Sequence, residues 1–233
     1  MKVRLRRFKE GRFLTDELEI DVPEGYTVLD LLFKIREEVD PTLSFRSMCR
    51  ASICGTCSVK VNGEPKLACN TKVEGEEITI EPVDNARPIK DLVVDQDPLF
   101  LRIRKGSLRV EPCGEEVRVF PKDLSKTERA SDCILCGICD SVCPSLVEDR
   151  SFGGPSFFTK AYRILEDPRN CGSEEGLKSL VPFNVQSCTH CNNCNLYCPK
   201  GCMPERWISL IEGMLLRKGY IQRKAEDFGF LGF

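Results

Sequence analysis

Hydrophobic and polar residues alternate along the first twenty positions in a pattern that predicts β-strands. Val3 and Leu5 alternate with basic residues, and Leu18 and Ile20 repeat this alternation after a charged stretch. A Pro-Glu-Gly turn at positions 23–25 then ends the pattern. We therefore expect two strands near the amino terminus.

A helix and further strands are predicted next. Thr27 is suited to cap a helix, with Asp30 three residues on, and apolar residues then recur at helical spacing. These apolar residues are Leu31, Leu32, Ile35 and Val39. Short strands are predicted at 58–61 and 78–80, with Asn62-Gly63 as a hairpin turn. Two pairs of strands, one helix and a cysteine loop predict an α+β unit of the β-grasp type.

The second half of the chain has the pattern of helices. A connecting helix is expected over 91–104. Residues 157–165 and 207–216 carry apolar residues three and four positions apart, and each run closely follows a proline that suits a first helical turn. The second of these runs is expected to face the core of an all-α unit. We therefore predict two domains, over residues 1–96 and 97–233.

Composition and charge narrow the classes of function. The 233 residues carry a net charge of −2 with acidic and basic residues mixed, so no broad basic field favours nucleic acid as a partner. No apolar stretch approaches the roughly 18 residues that a membrane-spanning helix requires. Charged residues follow Arg6-Arg7 where the apolar core of a signal peptide would lie, so we expect a cytoplasmic chain.

Cysteine and histidine counts point to iron-sulfur chemistry. Fifteen cysteines in an intracellular chain indicate metal ligation, whereas in a secreted chain they would indicate disulfides. A Rieske centre and a Cys2His2 zinc finger each need two histidines, and the chain has one. The candidate centres therefore depend on cysteine alone.

The first set of cysteines has the spacing of a plant-type [2Fe-2S] site. It consists of Cys49, Cys54, Cys57 and Cys69. A tight loop of this kind directs backbone N–H groups at the cluster sulfurs and so stabilises their negative charge. The alternatives are a zinc site or four unrelated core cysteines, and zinc motifs rarely use a four-residue gap between ligands.

The remaining ligands come from a repeated motif, Cys-x2-Cys-x2-Cys-x3-Cys-Pro, which occurs at 133–144 and again at 188–199. In two-cluster ferredoxins the first three cysteines of each copy bind one cluster and the fourth binds the other. This rule predicts a second set, a [4Fe-4S] site formed by Cys133, Cys136, Cys139 and Cys198. It also predicts a third set, formed by Cys143, Cys188, Cys191 and Cys194.

Four further residues are not assigned as ligands. Cys113, Cys171 and Cys202 lie outside the motifs and are interpreted as small buried hydrophobic residues, the alternative being a ligand or redox role. His190 lies between two ligands of the third set. It either tunes that cluster, carries a proton to an acceptor, or faces solvent.

Along nearly its whole length the chain resembles the iron-sulfur subunit of succinate dehydrogenase and fumarate reductase. The similar segments are 47–57, 67–69, 90–95, 133–136, 143–145, 161–163 and 198–201. The resemblance implies electron transfer through three clusters, from an FAD-containing flavoprotein subunit that interconverts succinate and fumarate to an acceptor side. It also implies a membrane anchor subunit that binds quinone, and peripheral attachment to the cytoplasmic face of the membrane through partner subunits.

Two departures from that family lie at the acceptor end. Its members with a [3Fe-4S] centre lack the middle cysteine of the second motif, whereas this chain has Cys191, so the third set is predicted to bind [4Fe-4S], with [3Fe-4S] as the alternative. The family's quinone pocket also uses a tryptophan and a histidine, where this chain has Glu148 and Thr189. These features resemble nonclassical members, including thiol-dependent fumarate reductases, whose acceptor side is a cysteine-rich module or subunit.

Two other functions remain open at this stage. The chain could serve a different flavin-dependent dehydrogenase, or act as a free-standing ferredoxin. It contains no Gly-x-Gly-x-x-Gly fingerprint and no Gly-rich phosphate loop, so we expect no catalytic site for an organic substrate in this chain. An aromatic tail with Phe228, Phe230 and Phe233 is a candidate docking segment for a partner subunit.

Overall fold

A five-stranded sheet forms the first half of the protein. The computed structural model describes residues 1–223, so the aromatic tail lies outside the described residues. The strands are β1 (Lys2–Lys9), β2 (Arg12–Glu19), β3 (Ser58–Val61), β4 (Glu64–Leu67) and β5 (Glu77–Glu81). Their order is β2-β1-β5-β3-β4, with β1 parallel to β5 and antiparallel to β2. The basic strand β1 therefore lies inside the sheet, between β2 and β5.

The predicted helix packs on this sheet. Helix α1 (Val28–Glu38) begins after Thr27, whose hydroxyl accepts from the Asp30 amide at 3.2 Å. The Asp30 carboxylate accepts in turn from the Thr27 amide at 2.9 Å, which completes the capping box. The apolar face of α1 and the inward side chains of β1 and β5 form one buried core. A β-grasp unit with a helix on a mixed sheet is the result.

The expected helix at 91–104 is shorter than predicted. A small hairpin of β6 (Pro88–Lys90) and β7 (Val93–Val94) precedes α2 (Asp97–Lys105). Asp91 lies in this hairpin with a φ of 49° and is 1% exposed. Its carboxylate accepts from the Ser44 amide at 2.9 Å and lies 3.7 Å from the Arg7 guanidinium. These long-range partners hold the backbone in a turn that apolar spacing alone does not reveal.

The second half is built from helices. They are α2, already defined, with α3 (Pro121–Leu124), α4 (Glu128–Ser131), α5 (Ile138–Ser141), α6 (Pro144–Glu148), α7 (Pro155–Leu165), α8 (Ser173–Lys178), α9 (Asn193–Leu196) and α10 (Pro204–Arg217). Helices α7 and α10 pack together, and each begins at its proline as expected. In α10 the predicted inward face is buried, at Trp207, Ile208, Ile211 and Leu215. Within residues 1–223 no helix is both long and apolar enough to cross a membrane.

Two of the unassigned cysteines were interpreted wrongly. Cys113 and Cys171 form a disulfide, and Cys171 is exposed, so neither is a buried hydrophobic residue. The bond joins two loops that also pair through backbone atoms, since the Cys171 amide donates to the Glu111 carbonyl at 2.9 Å. The two cysteines are 58 residues apart, and sequence spacing does not reveal such a pairing.

Candidate iron-sulfur centres

The loop of the first set directs backbone N–H groups at a cysteine sulfur. The Cys49 Sγ accepts from the amides of Ala51, Ile53 and Cys54 at 3.3, 3.4 and 3.3 Å. These donors lower the pKa of Cys49 to about 6 and so favour its thiolate. The loop turns through left-handed conformations at Arg50 and Ser52, with φ values of 54° and 56°.

The other cysteines of the first set come from two different elements. Cys57 directly precedes β3, and Cys69 lies in a single helical turn, Ala68–Asn70, after β4. Burial raises the pKa of Cys57 to about 11, and the Cys69 and Cys54 sulfurs close to it contribute. The Ser52 hydroxyl lies 3.9 Å from the Cys69 Sγ. The fold thus brings together all four cysteines that the sequence grouped as the first set.

The second set surrounds a small cavity. Cys133, Cys136, Cys139 and Cys198 all line a space of about 20 Å³. Three of them belong to the first copy of the motif, and Cys198 is the fourth cysteine of the second copy, as the crossed rule predicts. Burial raises the pKa of Cys136 to about 12 and that of Cys139 well above its usual value.

The third set also combines the two copies of the motif. Cys194 lies in α9, and Cys188, Cys143 and Cys191 are close enough for their negative charge to act on it. Burial is the largest cause of its raised pKa, which is about 12, followed by these three sulfurs. Among the thirteen free cysteines of residues 1–223, Cys191 alone is exposed.

The donor chemistry of the three sets fits iron-sulfur clusters. Cysteine sulfur is the usual cluster ligand, and each set supplies four of them. Within residues 1–223 no three cysteine, histidine or carboxylate side chains converge on a single metal ion. Burial raises the pKa of Cys136 and Cys139, so binding of a cluster to their thiolates would displace protons. The chemistry that the bound clusters supply is the uptake and release of single electrons.

The first and second sets meet through their loops. Gly55, next to Cys54, has a φ of 70°, and a Cβ added there would lie 2.8 Å from the Ile134 carbonyl oxygen and 3.0 Å from the Cys136 Cα. The Ser58 hydroxyl donates to the Cys136 carbonyl at 3.0 Å. The β-grasp half is therefore in direct contact with the loop that carries the second set.

His190 borders the third set and belongs to a small polar cluster that the sequence did not reveal. Its backbone amide donates to the Cys188 Sγ at 3.4 Å. Its Nδ1 lies 2.9 Å from a Glu205 oxygen, and its Nε2 lies 3.7 Å from a Glu212 oxygen. Both carboxylates project from α10, seven residues apart on one helical face. The side chain is 46% exposed, so it is a solvent-facing residue with fixed acidic neighbours.

Comparisons with family models show which class of protein this chain belongs to. Residues 2–101 match the family model of the 2Fe-2S iron-sulfur cluster binding domain, and residues 129–202 match that of the 4Fe-4S dicluster domain. The chain is thus a two-domain iron-sulfur protein. The predicted fold class, an α+β chain with an α-helical ferredoxin domain after a [2Fe-2S] domain, is confirmed.

Sequence relatives identify the family. The chain is 34% identical over 225 residues to an uncharacterized iron-sulfur protein of Methanocaldococcus jannaschii, covering 94% of this chain but 45% of that protein. It is 33% identical to the 8-methylmenaquinol:fumarate reductase iron-sulfur subunit of Wolinella succinogenes, covering 84% of this chain and 66% of that protein. It is 34% identical to a mitochondrial succinate dehydrogenase iron-sulfur subunit of Oryza sativa, covering 86% and 75%. The chain belongs to the family of iron-sulfur subunits of succinate dehydrogenase and fumarate reductase.

A solved structure supports the same fold. The chain superposes on one from the Mycobacterium smegmatis Sdh1 complex in the apo form with a TM-score of 0.86 and 22% identity. The match covers 96% of this chain and 98% of the other. Agreement over nearly the full length shows that both halves are arranged as in that chain.

Proposed function

We propose that this protein is the electron-transfer subunit of a succinate dehydrogenase or fumarate reductase complex. In this role it connects an FAD-containing flavoprotein subunit, where succinate and fumarate are interconverted, with an acceptor side. Its family membership supports this role. The chain spans only about half of the length of the Methanocaldococcus relative.

The contact between Gly55 and Cys136 is the observation that carries this proposal. Electron transfer slows steeply with distance, so consecutive centres must be close together. The loop of the first set touches the loop of the second, and the second and third sets exchange one cysteine each through the repeated motif. This serial arrangement suits a chain whose task is to pass single electrons from one end to the other.

The assignment of ligands remains part of the proposal. We assign [2Fe-2S] to the first set, [4Fe-4S] to the second, and [4Fe-4S] to the third with Cys191 as its additional ligand. The shared cavity of the second set, and the influence of neighbouring sulfurs on the pKa values of Cys57 and Cys194, support this assignment. We also keep the domain boundary between residues 96 and 97, and the start of α2 at Asp97 supports it.

The two ends of the molecule suit different partners. Met48 and Ile53, which flank ligands of the first set, are 71% and 67% exposed, and we assign this face to the flavoprotein subunit. Leu196 and Val147 near the third set are 75% and 52% exposed, and we assign that face to a membrane anchor or a cysteine-rich acceptor-side subunit. Such a partner would hold the chain at the cytoplasmic face of the membrane.

The acceptor is proposed to be either a quinone or a dithiol couple. Glu148 and Thr189, which stand where the family has its quinone-pocket tryptophan and histidine, are both exposed. Neither supplies an aromatic wall or an imidazole donor. A dithiol couple is therefore a second candidate acceptor beside quinone.

Anaerobic isolation of the native complex tests the function. We expect a flavoprotein to co-purify and the complex to show succinate oxidation or fumarate reduction with a quinone or dithiol couple. A flavoprotein partner without either activity would favour a different dehydrogenase. A stable monomer of about 26 kDa, the mass of this chain, would instead show a free-standing ferredoxin.

A further inference from the structure

Cys202 is a thirteenth free cysteine that no cluster requires. It is 1% exposed and lines the same cavity as the four cysteines of the second set. Five cysteine sulfurs therefore surround the cavity of the second set, whereas a [4Fe-4S] cluster has only four irons to bind them. One of the five has no iron to bind, and the twofold motif identifies Cys202 as that one.

Cys202 directs two hydrogen-bond donors at the second set. Its backbone amide donates to the Cys198 Sγ at 3.3 Å. Its thiol is hydrogen-bonded to the sulfurs of both Cys198 and Cys133. The four motif cysteines bind iron as thiolates in the assigned cluster, so Cys202 is the one member of this group of five that retains a thiol hydrogen.

Neighbouring residues hold the backbone of Cys202. The buried Trp207 indole donates its N–H to the Cys202 carbonyl, and its ring stacks on Tyr162 with centroids 4.5 Å apart. Pro204 starts α10 two residues after Cys202, which restricts the backbone further. The backbone of Cys202 is therefore held in place beside the second set, where its side chain is buried.

We propose that Cys202 is a positioning residue that donates its thiol hydrogen to the ligand sulfurs of the second set and raises the reduction potential of the cluster bound there. A reduced cluster carries one more negative charge than an oxidised one, so a donor to its sulfurs stabilises the reduced form more. The inference rests on the ligand assignment made under the proposed function, but not on which substrate or acceptor the complex uses.

A matched pair of substitutions tests the role. Serine and alanine have nearly the same size, so the two variants form a matched pair. Cys202→Ser keeps a hydrogen-bond donor at this position, whereas Cys202→Ala removes it. Redox titration of the native complex, followed by EPR, should show a lower midpoint potential for the second cluster in Cys202→Ala and a potential close to wild type in Cys202→Ser. The potentials of the first and third clusters serve as internal controls and should not change.

Three results would overturn the inference. Equal shifts in both variants would mean that the lost volume matters and the donor does not. Unchanged potentials in both would mean that the thiol has no influence on the cluster. Loss of the second cluster alone in Cys202→Ala would make Cys202 a ligand. Succinate and fumarate turnover is measured separately, so a failure of the proposed function is distinguishable from a failure of this inference.

The unmodified chain offers a second readout that does not depend on the folding of a variant. With twelve cysteines bound to iron and two in the disulfide, Cys202 holds the only thiol hydrogen. Infrared spectra of the cluster-loaded chain should therefore contain a single S–H stretching band, lowered in frequency by hydrogen bonding and shifted in D2O. Absence of this band would contradict the inference.

Discussion

At the scale of single residues, Gly55 holds the closest approach between the two halves of the molecule. Its positive φ and the short distances from an added Cβ to the Ile134 oxygen and to Cys136 leave room for a hydrogen atom alone. The sequence predicted the tight cluster loop that contains this glycine. It could not predict the contact with Cys136, because that residue is 81 positions away.

Substitution of Gly55 tests this contact. Gly63→Ala is the matched control, because Gly63 also has a positive φ, 84°, but its added Cβ would meet nothing within 4 Å. We expect Gly63→Ala to cost about 1 kcal/mol, which lowers the temperature of cluster loss by about 2–4 °C. Gly55→Ala should lower it at least twice as much and slow electron transfer between the first two clusters. Equal effects of the two substitutions would show that the loops are not in tight contact.

A second prediction at this scale concerns Cys191. Freshly purified anaerobic protein should lack a stoichiometric oxidised [3Fe-4S] EPR signal, because the third set supplies four ligands. Cys191→Ala should produce that signal, since one iron loses its thiolate. The substitution is at an exposed site and leaves the core intact. Thr189→Ala, an exposed neighbour in the same loop, is the control and should leave the spectrum unchanged.

At the scale of elements, the sequence correctly predicted the features that depend on residues close together in the chain. The structure has the capping residues Thr27 and Asp30 and the Asn62-Gly63 turn where the sequence predicted them. The predicted prolines likewise begin α7 and α10. The helix at 91–104 was wrong in its first six residues because buried Asp91 pairs with Ser44 and Arg7, far away in the chain. The Cys113–Cys171 disulfide was also missed, because it joins two cysteines that are far apart in the chain.

The capping box of α1 allows a quantitative check at this scale. Thr27→Ala removes the oxygen that accepts from the Asp30 amide, and we expect it to destabilise the helix by about 1 kcal/mol. Hydrogen exchange of the first-turn amides of α1 should become faster, while Thr27→Ser should retain protection. Unchanged exchange in Thr27→Ala would mean that packing alone determines where the helix begins.

At the scale of the whole molecule, the two halves are stabilised by different means. The β-grasp half has an apolar core formed by its own strands and helix α1. The second half contains four-residue helices, including α5 and α9, which carry cluster ligands and are too short to be stable alone. We propose that crossed ligation joins these short pieces, because each of these two clusters takes ligands from both copies of the repeated motif.

Cluster removal should therefore affect the halves unequally. After anaerobic treatment with an iron chelator, we expect hydrogen-exchange protection to be lost over residues 129–202, because ligation no longer links the motif loops. Strands β1 to β5 should keep most of their protection. Equal loss of protection in both halves would show that the β-grasp core also depends on its cluster. Full protection in both halves would contradict the proposed dependence of the second half on iron.

The central claim, that this chain passes electrons to and from a succinate- and fumarate-converting partner, is tested most directly by EPR of the native complex. The clusters are first reduced anaerobically with the minimum amount of dithionite, and fumarate is then added. The account predicts that the signals of the reduced clusters disappear as electrons leave through the flavoprotein. Signals that persist in a complex with intact clusters and bound flavin would contradict it.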